Sequence, residues 1–281
     1  MAQKPVLNQK PNVIATLFGR RKAVIGMLHC LPLPGSARYD GQTMEAIIAF
    51  SCNEARLLVE GGVDGLIVEN HGDIPFSKPD SIGPETVAAM TMVTAAVKNT
   101  VKCPVGINVL ANGAIQALAI AKAASASFIR VNQWANAYVA NEGIVEGPAA
   151  QATRYRSWLH ARDIKIFADV HVKHGAHAIT GDRSVAELAR DVEFFDADAA
   201  VATGQRTGDA ARLDELEAIG SGTSLPVVVG SGVTPENVGD MFSIADAVIV
   251  ASYLKTDGLW WNDVDPARLQ AFMAAANHAR S

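Results

Sequence analysis

The stretch FADVHVK places Asp169, His171 and Lys173 at every second position. On a β-strand, side chains alternate between faces, so these three would share one. A carboxylate, an imidazole and an ammonium on one strand face are unfavourable to desolvate without a purpose. The same spacing pairs Arg130 with Asn132 in FIRVNQ. Glu69 and Asn70 close DGLIVEN, Asn108 lies near the end of PVGINVL, His29 and Cys30 follow AVIGML, and Thr203 closes AAVAT. Three chemistries suit this set. Asp169 and His171, with Glu69 or Cys30 opposite, could exchange protons beside a carbonyl. Glu69, Asp169 and His171 could hold a divalent metal. Lys173 could form a Schiff base if its neighbours lower its pKa. In each case His29, Asn70, Asn108, Arg130, Asn132 and Thr203 would bind and orient the substrate. The structural alternative is an ionic layer of Arg130, Asp169 and Glu69 that fills a barrel.

A second signal is VVVGSGVTPENV, where an apolar run meets Gly230, Ser231 and Gly232 and then a helical pattern. Glycines let backbone N–H groups approach an anion, and a following helix N-terminus adds donors. The run DAVIVAS also ends in small residues, Ala251 and Ser252, before YLK, which could open a short extra helix. Gly230, Ser231, Gly232, Ala251 and Ser252 therefore read as a phosphate cradle. His174 and His177 lie in the loop after FADVHV, with no helix to align them, and read as loop residues rather than a metal pair. Trp260 and Trp261 suit either a lid or a subunit contact.

These residues need elements to position them. Eight short apolar runs recur, at 23–29, 64–70, 104–110, 127–133, 165–172, 199–204, 226–232 and 246–252. They are nearly continuous Val/Ile/Ala strings, the pattern of strands buried on both faces of a parallel sheet. Each is followed by a helix-period segment, from TMEAIIAFSCNEARLLVEGG through DAARLDELEAI (209–219) to DPARLQAFMAAANHA, several with Thr, Ser, Asp or Pro at the start. Strict alternation predicts a closed (β/α)₈ barrel of the phosphate-binding type. A doubly wound open sheet would carry a glycine-rich turn after its first strand, where this chain has HCLPLPG. Residues 23–281 are read as one barrel domain. Residues 1–22 are read as an extension, with a short helix near 13–18 covering the barrel bottom. The loops after the runs are long and rich in Gly, Pro and Asn, enough to cover a small substrate.

Composition sets the class. Of 281 residues, 49% are hydrophobic and 19% charged, which supplies a core and excludes a disordered chain. A net charge of -5 argues against a nucleic-acid partner. No apolar stretch has membrane-span character. No signal peptide is recognisable, and three cysteines with no zinc or disulfide spacing suit a reducing, cytoplasmic setting. Self-association is an expectation resting on Met90, Met92 and Trp158.

GMLHCLPLPGS, DGLIVENHGDIPF, GINVLANG, FIRVNQW, FADVHVKHGAH, VVVGSGVTPENV and ADAVIVASYLK, in that order, resemble the BtpA/SgcQ family. The resemblance implies a (β/α)₈ barrel of the phosphate-binding type. Cyanobacterial members are named for photosystem I biogenesis, and others lie among sugar-phosphate genes. A more distant similarity is to phosphoribosylanthranilate isomerase, which uses a Cys after strand one and an Asp at strand five; Cys30 and Asp169 hold comparable places. Two functions follow as expectations. One is an enzyme (isomerase, epimerase or aldolase) acting on a small phosphorylated, sugar-like substrate, without a certain cofactor but with room for a divalent metal. The other is a non-catalytic assembly factor or regulatory protein, which would show an exposed apolar patch on the outer helices and no ligand-sized cavity at the mouth.

Overall fold

The computed structural model describes residues 9–204 and 211–281. Residues 1–8 of the extension, and Asp209 and Ala210 at the head of one predicted helix, lie outside the described residues. The chain begins with α1 (Val13–Phe18), and eight parallel strands then close on themselves. These are β1 (Ala23–His29), β2 (Gly65–Glu69), β3 (Val105–Asn108), β4 (Phe128–Val131), β7 (Lys165–His171), β8 (Ala199–Ala202), β9 (Val227–Val229) and β10 (Ala247–Val250). Closure through β1–β10 pairing rules out the open sheet. Helices α2 (Met44–Glu60), α3 (Pro84–Thr100), α4 (Ala114–Ala124), α5 (Ala149–Trp158), α6 (Val185–Phe194), α7 (Leu213–Gly222), α8 (Val238–Ile244) and α9 (Pro266–Ala279) follow the strands. Their starts are chemically marked. Thr43 caps α2, Ser184 and Glu187 form a capping box on α6, and Asp265 caps α9 ahead of Pro266.

Strand parity splits the core in two. Val24, Leu28, Leu66 and Val68 pack outward against the helices. Ile25, Met27, Ile67, Phe128, Phe167, Val201 and Val228 fill the interior. The Phe128 and Phe167 rings stack at 4.6 Å, and Phe18 of α1 meets Phe128 edge-on at 5.9 Å. With Val13 and Ile14 buried beside them, α1 closes the bottom. At that end Asp64, Asp198 and Asp246, each just before a strand, accept the N–H of Val24, Ile166 and Val227 on the neighbouring strand. Each carboxylate also meets a basic side chain: Arg280, Arg156 and Arg21 respectively. The bottom is thus stitched by charge-assisted hydrogen bonds.

Three sequence expectations change. QWANAYVANEGIVEGPA is not plain loop but contains an antiparallel hairpin, β5 (Ala137–Ala140) with β6 (Gly143–Glu146). Tyr138 and Val145 face each other in it and are buried. The helix expected straight after GSG begins only at Val238, because Thr234–Asn237 forms a turn in which Asn237 accepts from Thr234 N and donates to Gly232 O. Met90 is buried in the core, while Met92 and Trp158 are exposed. Among the described residues no helix is long and apolar enough to cross a membrane.

Beyond β10, a short 3-10 turn (Ser252–Leu254) leads to Lys255, whose ammonium is buried against Glu54 of α2. The other Glu54 oxygen accepts from Val264 N at 2.9 Å, so one carboxylate anchors both ends of the loop that carries Trp260. Removing one partner of a buried pair strands the other charge. Lys255→Met is therefore expected to lower the unfolding free energy by about 3–5 kcal/mol in urea titrations. Adding Glu54→Leu should recover part of that loss, short of the parent because Val264 N–H then lacks its acceptor. A loss below about 1 kcal/mol in the single variant would be the worth of an exposed pair and would contradict the anchoring role.

Candidate functional site

Interior-facing residues at the C-terminal strand ends form a polar layer above the phenylalanines. Arg130 and Asp169 join through two hydrogen bonds, Nε to Oδ1 at 2.9 Å and Nη2 to Oδ2 at 3.0 Å, with both side chains buried. Burial alone would depress the guanidinium pKa, but the charge and hydrogen bonds of Asp169 outweigh it and raise it. For this pair the ionic-layer reading fits. Both Asp169 oxygens accept from Arg130, and Asp169 lines neither mouth cavity.

The alternation expected through Lys173 breaks directly after Asp169. Asp169 is opposite Val201 but His171 is opposite Ala202, a bulge at Val170. His171 thereby takes the parity of Ala202, which packs outward. It lies against His177, ring centroids 3.9 Å apart, and 3.7 Å from Glu215 of α7. It lines neither mouth cavity. The metal set Glu69, Asp169 and His171 is therefore not assembled. Lys173 does reach the mouth and donates to Ser231 Oγ at 3.3 Å. Thr203 acts on the backbone, accepting from Lys173 N and donating to His171 O, both at 3.1 Å.

Parity also separates neighbours on β1 and β2. His29 and Glu69 are aligned in register and face the mouth. Cys30 faces the helices, buried, with burial and then the charges of Asp73 and Glu69 raising its thiol pKa. It is a core residue here, not a catalytic thiol. Asn70 holds the loops, bonding Asp73 Oδ2, Leu110 O and Leu110 N, and lines neither cavity. His71, in the turn after β2, was not singled out from sequence. Its Nδ1 lies 2.9 Å from Glu69 Oε2, and its ring stacks on His29 at 4.5 Å. Gly72 lets that turn seat, since a Cβ there would come within 2.6 Å of Cys30 O and Pro32 N. Asn108 Nδ2 donates to Glu69 Oε1 at 2.6 Å. Burial pushes the Glu69 pKa up, but the hydrogen bond and charge of His71, then His29 and Arg130, bring it down to about 2. Burial, then the charge of His71, holds His29 at about 3 against the pull of Glu69. Trp260 packs edge-on against both rings, with centroids 4.2 Å from His71 and 5.8 Å from His29, while Trp261 is exposed.

These groups line a cavity of about 370 Å³, with Arg130, Asn132, Tyr138 and His174 among its other walls. The Asn108 and Asn132 Oδ1 atoms are buried there without a hydrogen-bond partner. A second cavity of about 210 Å³ adjoins it, and Lys173, Gly230 and Ala251 line both. Gly230, Ser231, Gly232, Ala251 and Ser252 all surround the second space, with Arg268 of α9. Arg268 is positioned by Tyr253, Nε to its carbonyl at 2.7 Å and guanidinium 4.5 Å from its ring. A Cβ on Gly230 would lie 2.8 Å from Val201 and 3.0 Å from the Arg130 guanidinium, so only glycine lets the backbone pack this close to the pair.

A closed (β/α)₈ barrel with polar side chains gathered at the C-terminal strand ends defines a barrel protein whose site lies at that mouth. The chain belongs to the BtpA family, whose sequence profile matches residues 20–278. It is 43% identical over 255 residues to an uncharacterized protein of Archaeoglobus fulgidus, covering 91% of this chain and 98% of that one. It is 42% identical over 259 residues to the photosystem I biogenesis protein BtpA of Synechocystis, covering 92% and 89%. Among solved structures, thiamine phosphate pyrophosphorylase of Pyrococcus furiosus superposes with a TM-score of 0.58 at 15% identity, covering 96% of this chain and 100% of that one. N-(5'-phosphoribosyl)anthranilate isomerase of the same organism gives 0.56 at 13%, covering 92% and 99%. At these identities the likeness to the solved structures is one of fold.

The placement of Cys30 has a direct chemical check. A buried thiol with a raised pKa offers little thiolate. Alkylation at neutral pH, followed by peptide mass mapping, should modify Cys30 only in denaturant, after the partly exposed Cys52 and Cys103. Native-state modification of Cys30 ahead of those two would return it to the mouth.

Proposed function

We propose that the protein is an enzyme acting on a small phosphorylated, sugar-like molecule. The phosphate would bind between β9 and β10, and the reacting end would lie against β1, β2 and β3. The observation that carries this reading is the pair of adjoining cavities. The smaller combines a glycine-lined backbone, two serine hydroxyls and the cations Lys173 and Arg268. The larger ends in an ionised carboxylate, two imidazoles and an amide oxygen without a partner. Cations and backbone amides suit a phosphate ester, and convergent titratable groups in a cavity suit chemistry. The anion site owes its charge to side chains rather than to the helix first expected.

Isomerisation or epimerisation fits better than cleavage through a Schiff base. Lys173 Nζ is hydrogen-bonded to Ser231, which lines the smaller cavity alone, while the titratable groups Glu69, His29 and His71 line the larger one. A purely non-catalytic assembly role, which the name of the Synechocystis relative brings to mind, would not need a cavity of about 370 Å³ lined by these groups. The free cysteines support a reducing, cytoplasmic setting.

Thermal-shift measurements with inorganic phosphate, small sugar phosphates and their unphosphorylated counterparts test this. A ligand at 100 times its Kd stabilises a fold by about 2.7 kcal/mol. Phosphorylated compounds should shift the transition, and both Gly232→Asp and Lys173→Ala should abolish the shift. Equal responses to the unphosphorylated sugars, or a full phosphate response in both variants, would refute the assignment.

A further inference from the structure

We propose that His29, Glu69 and His71 form a binding site for one divalent first-row transition metal, of zinc-like preference, in the wall of the larger cavity. One donor atom from each residue lies within 4.8 Å of the others. Glu69 Oε2 is 2.9 Å from His71 Nδ1 and 3.4 Å from His29 Nε2. Ligand atoms held about 2.0–2.2 Å from one ion at tetrahedral to octahedral angles sit about 2.8–3.6 Å apart. Both separations fall in that range.

Hydrogen bonding gives an independent reason. His29 Nδ1 lies 3.2 Å from the carbonyl oxygen of Trp260. A carbonyl only accepts, so Nδ1 carries a hydrogen, and Nε2, 3.4 Å from Glu69 Oε2, is the nitrogen that can turn a lone pair to a cation held between them. The same Trp260 contact is what orients a metal-bound imidazole, whose second nitrogen donates to a carbonyl. Asn108 plays the matching part for the carboxylate by donating to Glu69 Oε1. His29 and Glu69 are fixed by register on adjacent strands, and the His29 and His71 rings stack 4.5 Å apart with their planes at 21°.

Donor type sets the metal class. Two imidazoles and one carboxylate suit Zn²⁺, Co²⁺, Fe²⁺ or Mn²⁺ rather than Ca²⁺ or Mg²⁺, which prefer oxygen. Three protein ligands on a cavity wall leave positions open, as in catalytic sites. This deepens the proposed function and rests on it for the metal's role: the ion would polarise a substrate oxygen beside the carbon that exchanges its proton. Binding of the ion does not depend on that reading.

The test uses the full chain stripped by a chelator and titrated with Co²⁺, Zn²⁺ and Mg²⁺ in the absence of any phosphorylated compound. Calorimetry and the Co²⁺ visible spectrum should report one tight site with nitrogen and oxygen ligands, and weak or no Mg²⁺ binding. His71→Ala, in a partly exposed turn, should fold and weaken Co²⁺ by about 100-fold or more. Lys173→Ala should bind Co²⁺ like the parent, and metal-free His71→Ala should keep the thermal response to inorganic phosphate. Absence of a tight site, preference for Mg²⁺, or undiminished Co²⁺ binding in both His71→Ala and Glu69→Gln would overturn the metal site. Loss of the phosphate response alone would overturn the proposed substrate class and leave the metal site standing.

Discussion

The bidentate contact between Arg130 and Asp169 divides the barrel. Beneath it the interior is hydrocarbon, with Phe128 and Phe167 stacked and α1 sealing the end. Above it the ends of every barrel strand except β8 contribute to the two mouth cavities. A buried pair of this kind holds only when both ions keep their hydrogen bonds, because each has been taken from water. The two parallel N–H to oxygen contacts meet that demand for Asp169. The guanidinium in turn lends positive charge to Glu69 and leaves no room for a side chain at Gly230. The apolar plug, the floor of the site and the opening between its two cavities are thus one arrangement seen from three sides.

Much of the architecture is legible in the sequence because the dominant force is simple. Eight runs of Val, Ile and Ala can bury both faces only in a parallel sheet covered by helices, and each is followed by a helix-period segment. The small residues that end VVVGSG and VIVAS line one space. Failures occur where one residue decides orientation. Nothing local in FADVHVK marks the bulge at Val170, yet that extra residue sends His171 outward and leaves Asp169 inside. The pairs His29–Cys30 and Glu69–Asn70 cannot both face the mouth, and strict alternation would have chosen one of each. The hairpin had a usable signal too, AYVA and GIVE around Asn-Glu-Gly, with Gly143 at φ +103.

His71 and Arg268 were beyond such reasoning for a different reason. His71 follows its strand in a 3-10 turn, where no periodicity assigns a face. Arg268 belongs to the last helix and reaches the smaller cavity where Tyr253 accepts from its Nε–H and stacks beneath its guanidinium. Both depend on tertiary approach between segments far apart in sequence. The side chains that most sharpen the chemistry are therefore those that the pattern of the chain does not announce.

The wall formed by His29, Glu69 and His71 also depends on contacts outside the barrel. Glu54 on α2 faces Lys255 and the N–H of Val264, so it clamps the neck of the loop after β10. That loop carries Trp260, whose ring covers both imidazoles and whose carbonyl fixes which nitrogen of His29 faces Glu69. A carboxylate buried behind the barrel is thus tied to a ring at the mouth through one loop and one backbone oxygen. Stability at the α2 edge and competence at the mouth are coupled through Trp260, and a variant that disturbs only the first should still be felt at the second.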